Sequence, residues 1–367
     1  MSKKSLGIDI GSSSVKVSLL DIASGECVAS STNPSQEMPI EALQSGWAEQ
    51  DPDMWWKYVV EGIEKISEQY SMGDVASIGI TYQMHGLVAL DKECRPVRKS
   101  IIWCDSRAVE IGAEALESIG REFCLEHTLN SPGNFTASKL AWVKRNEPEL
   151  FEKVATFVLP GDYIAYRMSG ELATSVSGLS EQILWDFKED KRADFVADYY
   201  GIPQDIIPRA GVSIGVESKT DKATEQLLGI PAGTPISYRA GDQPNNAFSL
   251  NVMEAGEVAA TAGTSGVVYG VVDTPKADLL SRVNTFVHVN HTPATPRYGI
   301  LLCINGTGIL NSWMRRNVTQ QTLDYVEMNA LAEQAPAGSD GLVVLPFGNG
   351  AERVLENRTT GAAGLGI

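Results

Sequence analysis

Histidine and cysteine are scarce in this 367-residue chain, with four of the first and five of the second. Cys27, Cys94, Cys104, Cys124 and Cys303 are odd in number, scattered, and form no Cys-x-x-Cys pair. That argues against a disulfide framework or a zinc site and favours a reducing compartment, the cytoplasm. His288 and His291 have His-x-x-His spacing without an evident third ligand, so no metal is expected there. No run of about 18 uncharged apolar residues occurs, and no membrane span is expected. No apolar stretch follows Lys3 and Lys4 in the manner of a secretory signal. Basic residues are in deficit, 30 Lys and Arg against 46 Asp and Glu, for a net charge of −16. This balance argues against nucleic acid or an anionic membrane as the main partner. It leaves a phosphate ligand open, because backbone N–H groups bind phosphate without lysine. The phosphate loop GxxxxGK[ST] is absent.

Apolar residues are not lacking. At 43% they suffice for real cores, and 367 residues are enough for two or three domains. The chain opens as a β-meander: Leu6 to Ile10 is apolar, Gly11-Ser12-Ser13-Ser14 turns, and Val15, Val17 and Leu19 alternate with Lys16 and Ser18. Asp51-Pro52-Asp53 starts a helix with Trp55, Val59, Ile63 and Ile66 on one face. Ile78, Ile80 and Tyr82 alternate in a strand that ends at Gln83-Met84-His85-Gly86. Helices are expected over 110–119, 137–145, 193–200 and 221–228, the last stopped by Gly229. A strand over 235–239 delivers Gly241-Asp242. Helices alternating with strands define an α/β class.

Residues 7–21, GIDIGSSSVKVSLLD, are echoed by residues 259–273, AATAGTSGVVYGVVD. In each, a short strand meets Gly-Ser/Thr-Ser and an apolar strand leaves toward an Asp. The echo implies two related lobes with a boundary near 251–256.

The two Gly/Ser/Thr turns are either ordinary hairpin turns or, facing one another, a grip on a triphosphate through converging amides and hydroxyls. Asp9, between Ile8 and Ile10, needs a partner: turn amides, or a hydrated Mg²⁺. Asp242 at a strand end suits a general base that accepts an alcohol proton during phosphoryl transfer, and equally a helix cap. His85 is either a sugar contact or a buried structural histidine. Trp103-Cys104-Asp105-Ser106-Arg107 either lines a sugar pocket or holds an Asp–Arg pair beside a packed Trp. Asn305-Gly306-Thr307-Gly308 is a third small-residue bend, ahead of a helix.

Gly7-Ile8-Asp9-Ile10-Gly11-Ser12-Ser13-Ser14, Gln83-Met84-His85-Gly86, Trp103 to Arg107, Gly241-Asp242-Gln243 and Gly263-Thr264-Ser265 occur in this order. Together they resemble the FGGY family of carbohydrate kinases over essentially the whole chain. The resemblance implies two actin-like (ribonuclease-H-like) ATPase domains with a cleft between them, residues 1–250 and 251–367. It implies ATP with Mg²⁺ as phosphoryl donor, and a sugar as the small-molecule partner. Met84-His85 is the pair of the ketopentose-phosphorylating members, which points to D-xylulose and its 5-phosphate, whereas Gly-Asp-Gln is closer to the glycerol-phosphorylating members. By position Asp242 becomes the base, and Asp9 the residue that organises Mg²⁺ through water. Met84, His85, Gln243, Trp103 and Asp105 become sugar contacts. Gly11, Ser12, Ser13, Gly263, Thr264 and Gly308 become phosphate contacts. A homodimer is a family-level expectation. Family members continue beyond Gly361–Ile367 with a segment that seats the adenosine, so the second domain is expected to be partial. A non-catalytic sugar-binding protein and a polymerising actin-like ATPase are the rival readings.

Overall fold

The structure, a computed structural model, describes residues 2–263, 265–347, 351–355 and 358–366. Its first sheet grows from the opening meander. Strands β1 (Lys4–Ile10), β2 (Val15–Asp21) and β3 (Cys27–Asn33) pair antiparallel in sequence. The meander is closed by the Gly11–Ser14 turn, whose Gly11 N–H donates to the Ser14 carbonyl at 3.0 Å. Strand β4 (Val75–Tyr82) then adds parallel to β1. Strands β5 (Ile214–Lys219) and β6 (Pro235–Gly241) complete the order β5-β6-β4-β1-β2-β3, with β6 parallel to β4.

The strand period of two sends Leu6, Ile8 and Ile10 of β1, with Val15, Val17 and Leu19 of β2, into a core against α1 (Pro52–Ser67). Asp51 caps this helix by accepting from the Asp53 N–H at 2.9 Å, and Pro52 occupies its first turn, as the sequence leads one to expect. Its wholly buried Trp55, Val59 and Ile63 contribute roughly 1.5–3 kcal/mol each. The packing is close enough that a Cβ on Gly62 would lie 2.7 Å from Val17 Cγ2, so only glycine fits there.

The remaining helices used below are α2 (Val109–Ile119), α3 (Thr136–Asn146), α4 (Pro160–Ser169), α5 (Val176–Glu181), α6 (Asp194–Tyr200), α7 (Lys222–Leu228) and α8 (Asp242–Ser249). Asp221 caps α7 and Gly229 ends it in the left-handed conformation, φ 70°. Of these, α2, α3, α6 and α7 match the helical expectations to within one or two residues, the ordinary blur of helix ends.

The second sheet comprises β7 (Val258–Ala262), β8 (Gly266–Val272), β9 (Asn284–Val287) and β10 (Tyr298–Ile304), all antiparallel in the order β7-β8-β10-β9. The echo of β1-turn-β2 is therefore real at the level of β7-turn-β8. The likeness stops at the flank: β1 has parallel β4 on its other side, whereas β7 has no second neighbour among the described residues.

The second sheet does not share the core between the first sheet and α1, but it has no core to itself either. Val267, Tyr269, Val271 and Phe286 of the second sheet share one apolar cluster with Leu179, Ile183 and Leu184 around α5. Sequence periodicity gives no sign of this joint, because each segment looks amphipathic by itself.

Candidate active site

Strand register builds the site. Tyr82, the last residue of β4, pairs with Ile10 on one side and with Gly241 on the other. The chain leaving β1, β4 and β6 therefore emerges in one row: the Gly11 turn, Gln83-Met84-His85, and Asp242. Outside such carboxyl ends is where ligands of open parallel sheets sit. A cavity of about 590 Å³ lies there, and Ser265, Val267, Leu301, Cys303 and Asn305 of the second sheet region line its opposite wall.

Asp9, Gly11, Ser12, Ser13, Met84, His85, Trp103, Asp242 and Gln243 all line this cleft. Asp9 stands on the face of β1 opposite the core, so its neighbours Ile8 and Ile10 do not bury it. Its cross-strand partner is Lys16, with 3.9 Å between Nζ and Oδ2. Burial nevertheless raises its pKa, opposed by Lys16. The turn is held from behind: Gln50 Nε2 donates to the Ser12 carbonyl at 2.7 Å, while Gln50 Oε1 accepts from Gln83 Nε2 at 3.1 Å. Trp103 Nε1 lies 3.5 Å from Ser12 Oγ.

Asp242 is the first residue of α8. The cap position belongs to Gly241, and no side chain caps this helix, so the capping alternative does not hold. Burial pushes the Asp242 carboxyl up to about 7, reinforced by the negative Asp9 and opposed by hydrogen bonds from Gln243. Gly241 lets the strand end run this deep. A Cβ there would stand 2.5 Å from Met84 Cγ and 2.7 Å from Glu181 Oε2.

His85 takes a left-handed backbone, φ 59°, a strained conformation for a side-chain-bearing residue. Its Nδ1 donates to the Glu181 carbonyl at 2.8 Å, and its ring meets Phe135 edge-on at 4.9 Å. Burial, aided by nearby Lys139, lowers its pKa to about 3. The neutral ring then carries its proton on Nδ1 and leaves Nε2 as an acceptor. Wholly buried Lys139 donates to the carbonyls of His85 and Ile102 at 2.8 and 2.9 Å, fixing this corner.

Asp105, Gly263 and Gly308 fare differently. Asp105 does not reach the cleft. It is wholly buried, accepts from Arg107 Nη2 at 2.7 Å and from the Ala48 N–H at 2.6 Å, and so forms the Asp–Arg pair rather than a sugar contact. Gly263 and Gly308 are joined to each other, the Gly308 N–H donating to the Gly263 carbonyl at 3.1 Å, and it is Ser265 and Asn305 of their bends that line the cleft. Thr264 lies outside the described residues. His288 is buried against Tyr269 and the Val252 carbonyl, and no group of three or more metal-ligating side chains occurs among the described residues.

Residues the motifs did not point to also line the cleft: Lys16, Thr81, Asn245, Asn246, Asn284 and Arg353. Lys16 was within reach, since a four-residue turn fixes Asp9 opposite Lys16. Thr81 Oγ1 and Gln83 Oε1 are buried without a partner among the described residues.

An α/β molecule with a ribonuclease-H-like first sheet, and carboxylates at its strand ends facing a second sheet, has the architecture of actin-like sugar kinases. The model of the N-terminal domain of the FGGY family of carbohydrate kinases matches residues 5–249, and the chain belongs to that family. It is 30% identical over 283 residues to the xylulose kinase of Escherichia coli strain K12, covering 77% of this chain and 57% of that protein. The chain thus spans little more than half of that relative. The ligand-bound xylulose kinase of Lactobacillus acidophilus superposes with a TM-score of 0.89 at 25% identity, over 100% of this chain and 72% of that one. The gluconate kinase of the same organism superposes at 0.90 and 24% identity, over 100% and 73% respectively, a likeness of fold alone.

Proposed function

We propose that this chain carries the sugar-binding and catalytic part of an ATP-dependent kinase that phosphorylates the 5-hydroxyl of a ketopentose, D-xylulose. The observation that carries the reading is the row of strand ends: Asp9, His85 and Asp242 share one cleft, which Ser265 faces from the other wall. The family and its xylulose kinase relatives support it.

In this reading Asp242 accepts the hydroxyl proton and aims the oxygen at the γ-phosphorus, the role phosphoryl transfer asks of a carboxylate. Gln243, Met84, His85 and Trp103 hold the sugar, with His85 Nε2 accepting from a hydroxyl. The amides and hydroxyls of Gly11 to Ser13, with Ser265 opposite, receive the phosphates. Asp9, partly buried with Lys16 Nζ 3.9 Å away, and Thr81 Oγ1, without a partner among the described residues, form the hard-oxygen surroundings that suit Mg²⁺ held through water. When bound, Mg²⁺ neutralises phosphate charge. Five free cysteines, and no helix among the described residues long and apolar enough to cross a membrane, are compatible with work in the cytoplasm.

ADP release coupled to D-xylulose, D-ribulose, glycerol and D-gluconate tests the reading. Release that needs no sugar would reject it in favour of an actin-like ATPase. Sugar binding without release would favour the non-catalytic alternative.

Two narrower outcomes are expected. The base must be ionised to accept a proton, and its carboxyl titrates near 7. Turnover under subsaturating sugar should therefore fall about tenfold per pH unit below neutrality and level off above it. A rate flat from pH 5 to 8 would contradict the assignment. His85→Ala should raise KM for the sugar about tenfold, the worth of one good hydrogen bond, with KM for ATP unchanged. An unmoved sugar KM would leave His85 a purely structural role.

A further inference from the structure

The cleft has a second chemical pole that the phosphoryl-transfer reading leaves unused. Arg353 lines it together with Asn284, the first residue of β9. Arg353 Nη1 donates to Asn284 Oδ1 at 2.6 Å, and the guanidinium lies over Phe135 with its carbon 5.9 Å from the ring centroid. Phe135 is the ring that His85 meets edge-on. The neighbours of Arg353 are thus those of His85, not those of the Gly11–Ser14 turn.

No carboxylate pairs with Arg353 among the described residues. Among the described residues its acceptor is a neutral amide oxygen, although the protein around it is dense enough to lower its pKa to about 10 by burial. A guanidinium presents five donors in a planar fork and is poorly matched to one neutral acceptor. Elsewhere in the first lobe the buried arginines have carboxylates: Arg107 has Asp105 and Glu49, and Arg239 has Asp162. A cleft-facing fork with donors to spare points to acceptors on the ligand.

We propose that Arg353, positioned by Asn284, binds the end of the sugar remote from the phosphorylated hydroxyl, taking a pair of adjacent oxygen acceptors on C1 and C2. This rests on the kinase reading for which end reacts at Asp242. Two ligands present such a pair: the 1-hydroxyl and 2-carbonyl of a ketose, or the carboxylate and 2-hydroxyl of a sugar acid. For a ketopentose the contact has a further consequence. In its ring form the 5-hydroxyl is tied to C2, so the reactive hydroxyl and the C2 carbonyl exist together only in the open chain. A fork on the carbonyl therefore selects the form that can be phosphorylated.

Equilibrium titration of the chain with D-xylulose, 1-deoxy-D-xylulose and D-gluconate tests this without requiring turnover. The parent protein should bind D-xylulose about tenfold more tightly than the 1-deoxy sugar, which lacks one acceptor, and Arg353→Gln should bring that ratio to about one. Arg353→Lys, which keeps the cation but loses the fork, should also lower the ratio, and it serves if the glutamine variant does not fold. The same ratio in the parent and a folded variant would overturn the subsite, as would no binding of any of the three. If gluconate binds most tightly and loses that advantage in Arg353→Gln, the subsite stands and takes a carboxylate, and the ketopentose reading falls. Sugar-dependent ADP release with Arg353-independent discrimination sinks the subsite alone. Arg353-dependent discrimination without ADP release sinks the kinase reading alone.

Discussion

Asp242→Asn is expected to lower kcat at least ~10²-fold while making the folded protein more stable above neutral pH. The two effects have one origin. Burial holds the Asp242 carboxyl up to about 7, whereas in the unfolded chain it ionises in the ordinary carboxylate range. Between these values the unfolded chain gives up its proton and the folded one does not, so rising pH favours unfolding. The full penalty is present above about 7 and vanishes below the ordinary range. A shift of this size corresponds to at most about 4 kcal/mol. The side chain lines an open cleft, so solvent screening lowers the expected gain from Asn to about 1–2 kcal/mol. The asparagine has nearly the same shape and can keep a bond with Gln243, but it cannot accept the sugar proton. Urea denaturation of both proteins at pH 8 and pH 4 measures the stability half, with the gain expected only at pH 8. Turnover measures the other half. Near-normal kcat would reject Asp242 as the base, and a loss of stability at pH 8 would mean that the carboxylate is satisfied in the fold.

Much of this site was legible because it is built from local patterns. Alternation in 6–10 and 15–19 gave the hairpin, its Gly-Ser-Ser-Ser turn gave the register, and register alone places Asp9 opposite Lys16. The Asp51-Pro52 start and the Gly229 stop of helices were equally local. What stayed hidden depends on segments far apart in the chain. The alignment of three strand ends at Tyr82 joins residues 10, 82 and 241. The strained His85 is held by a carbonyl 96 residues away and by a buried lysine 54 residues away. Asn284 and Arg353 belong to no motif that spacing could flag, and the core shared between the lobes is invisible to a period taken one segment at a time.

Asp105 shows the same limit from the other side, and it supports the second large effect. The run Trp103 to Arg107 suggested a sugar-lining stretch, and Trp103 does line the cleft while Asp105 turns away from it. What decides its fate is Glu49, far back in the chain. Arg107 Nη1 lies 2.7 Å from the Glu49 carboxylate, Arg98 also pairs with Glu49 and with Glu147, and the Arg107 guanidinium carbon stacks 3.8 Å from the Trp47 ring centroid. Within this buried ion network Asp105 neutralises one arginine and satisfies the Ala48 and Arg107 N–H groups. Asp105→Ala removes a partner of a guanidinium that has almost no access to water, leaving its charge undercompensated. Breaking a buried pair from one side costs about 3–5 kcal/mol, and the remaining Glu49 contact places the expectation near 3 kcal/mol. Asp105→Asn should recover part of that, because an amide oxygen still accepts from Ala48. The denaturation midpoint is expected to fall in the order parent, Asn, Ala, with sugar affinity per folded molecule unchanged within about threefold. If the alanine variant instead keeps its midpoint and loses sugar affinity, Asp105 contacts the ligand after all, in a conformation this buried ion pair does not allow.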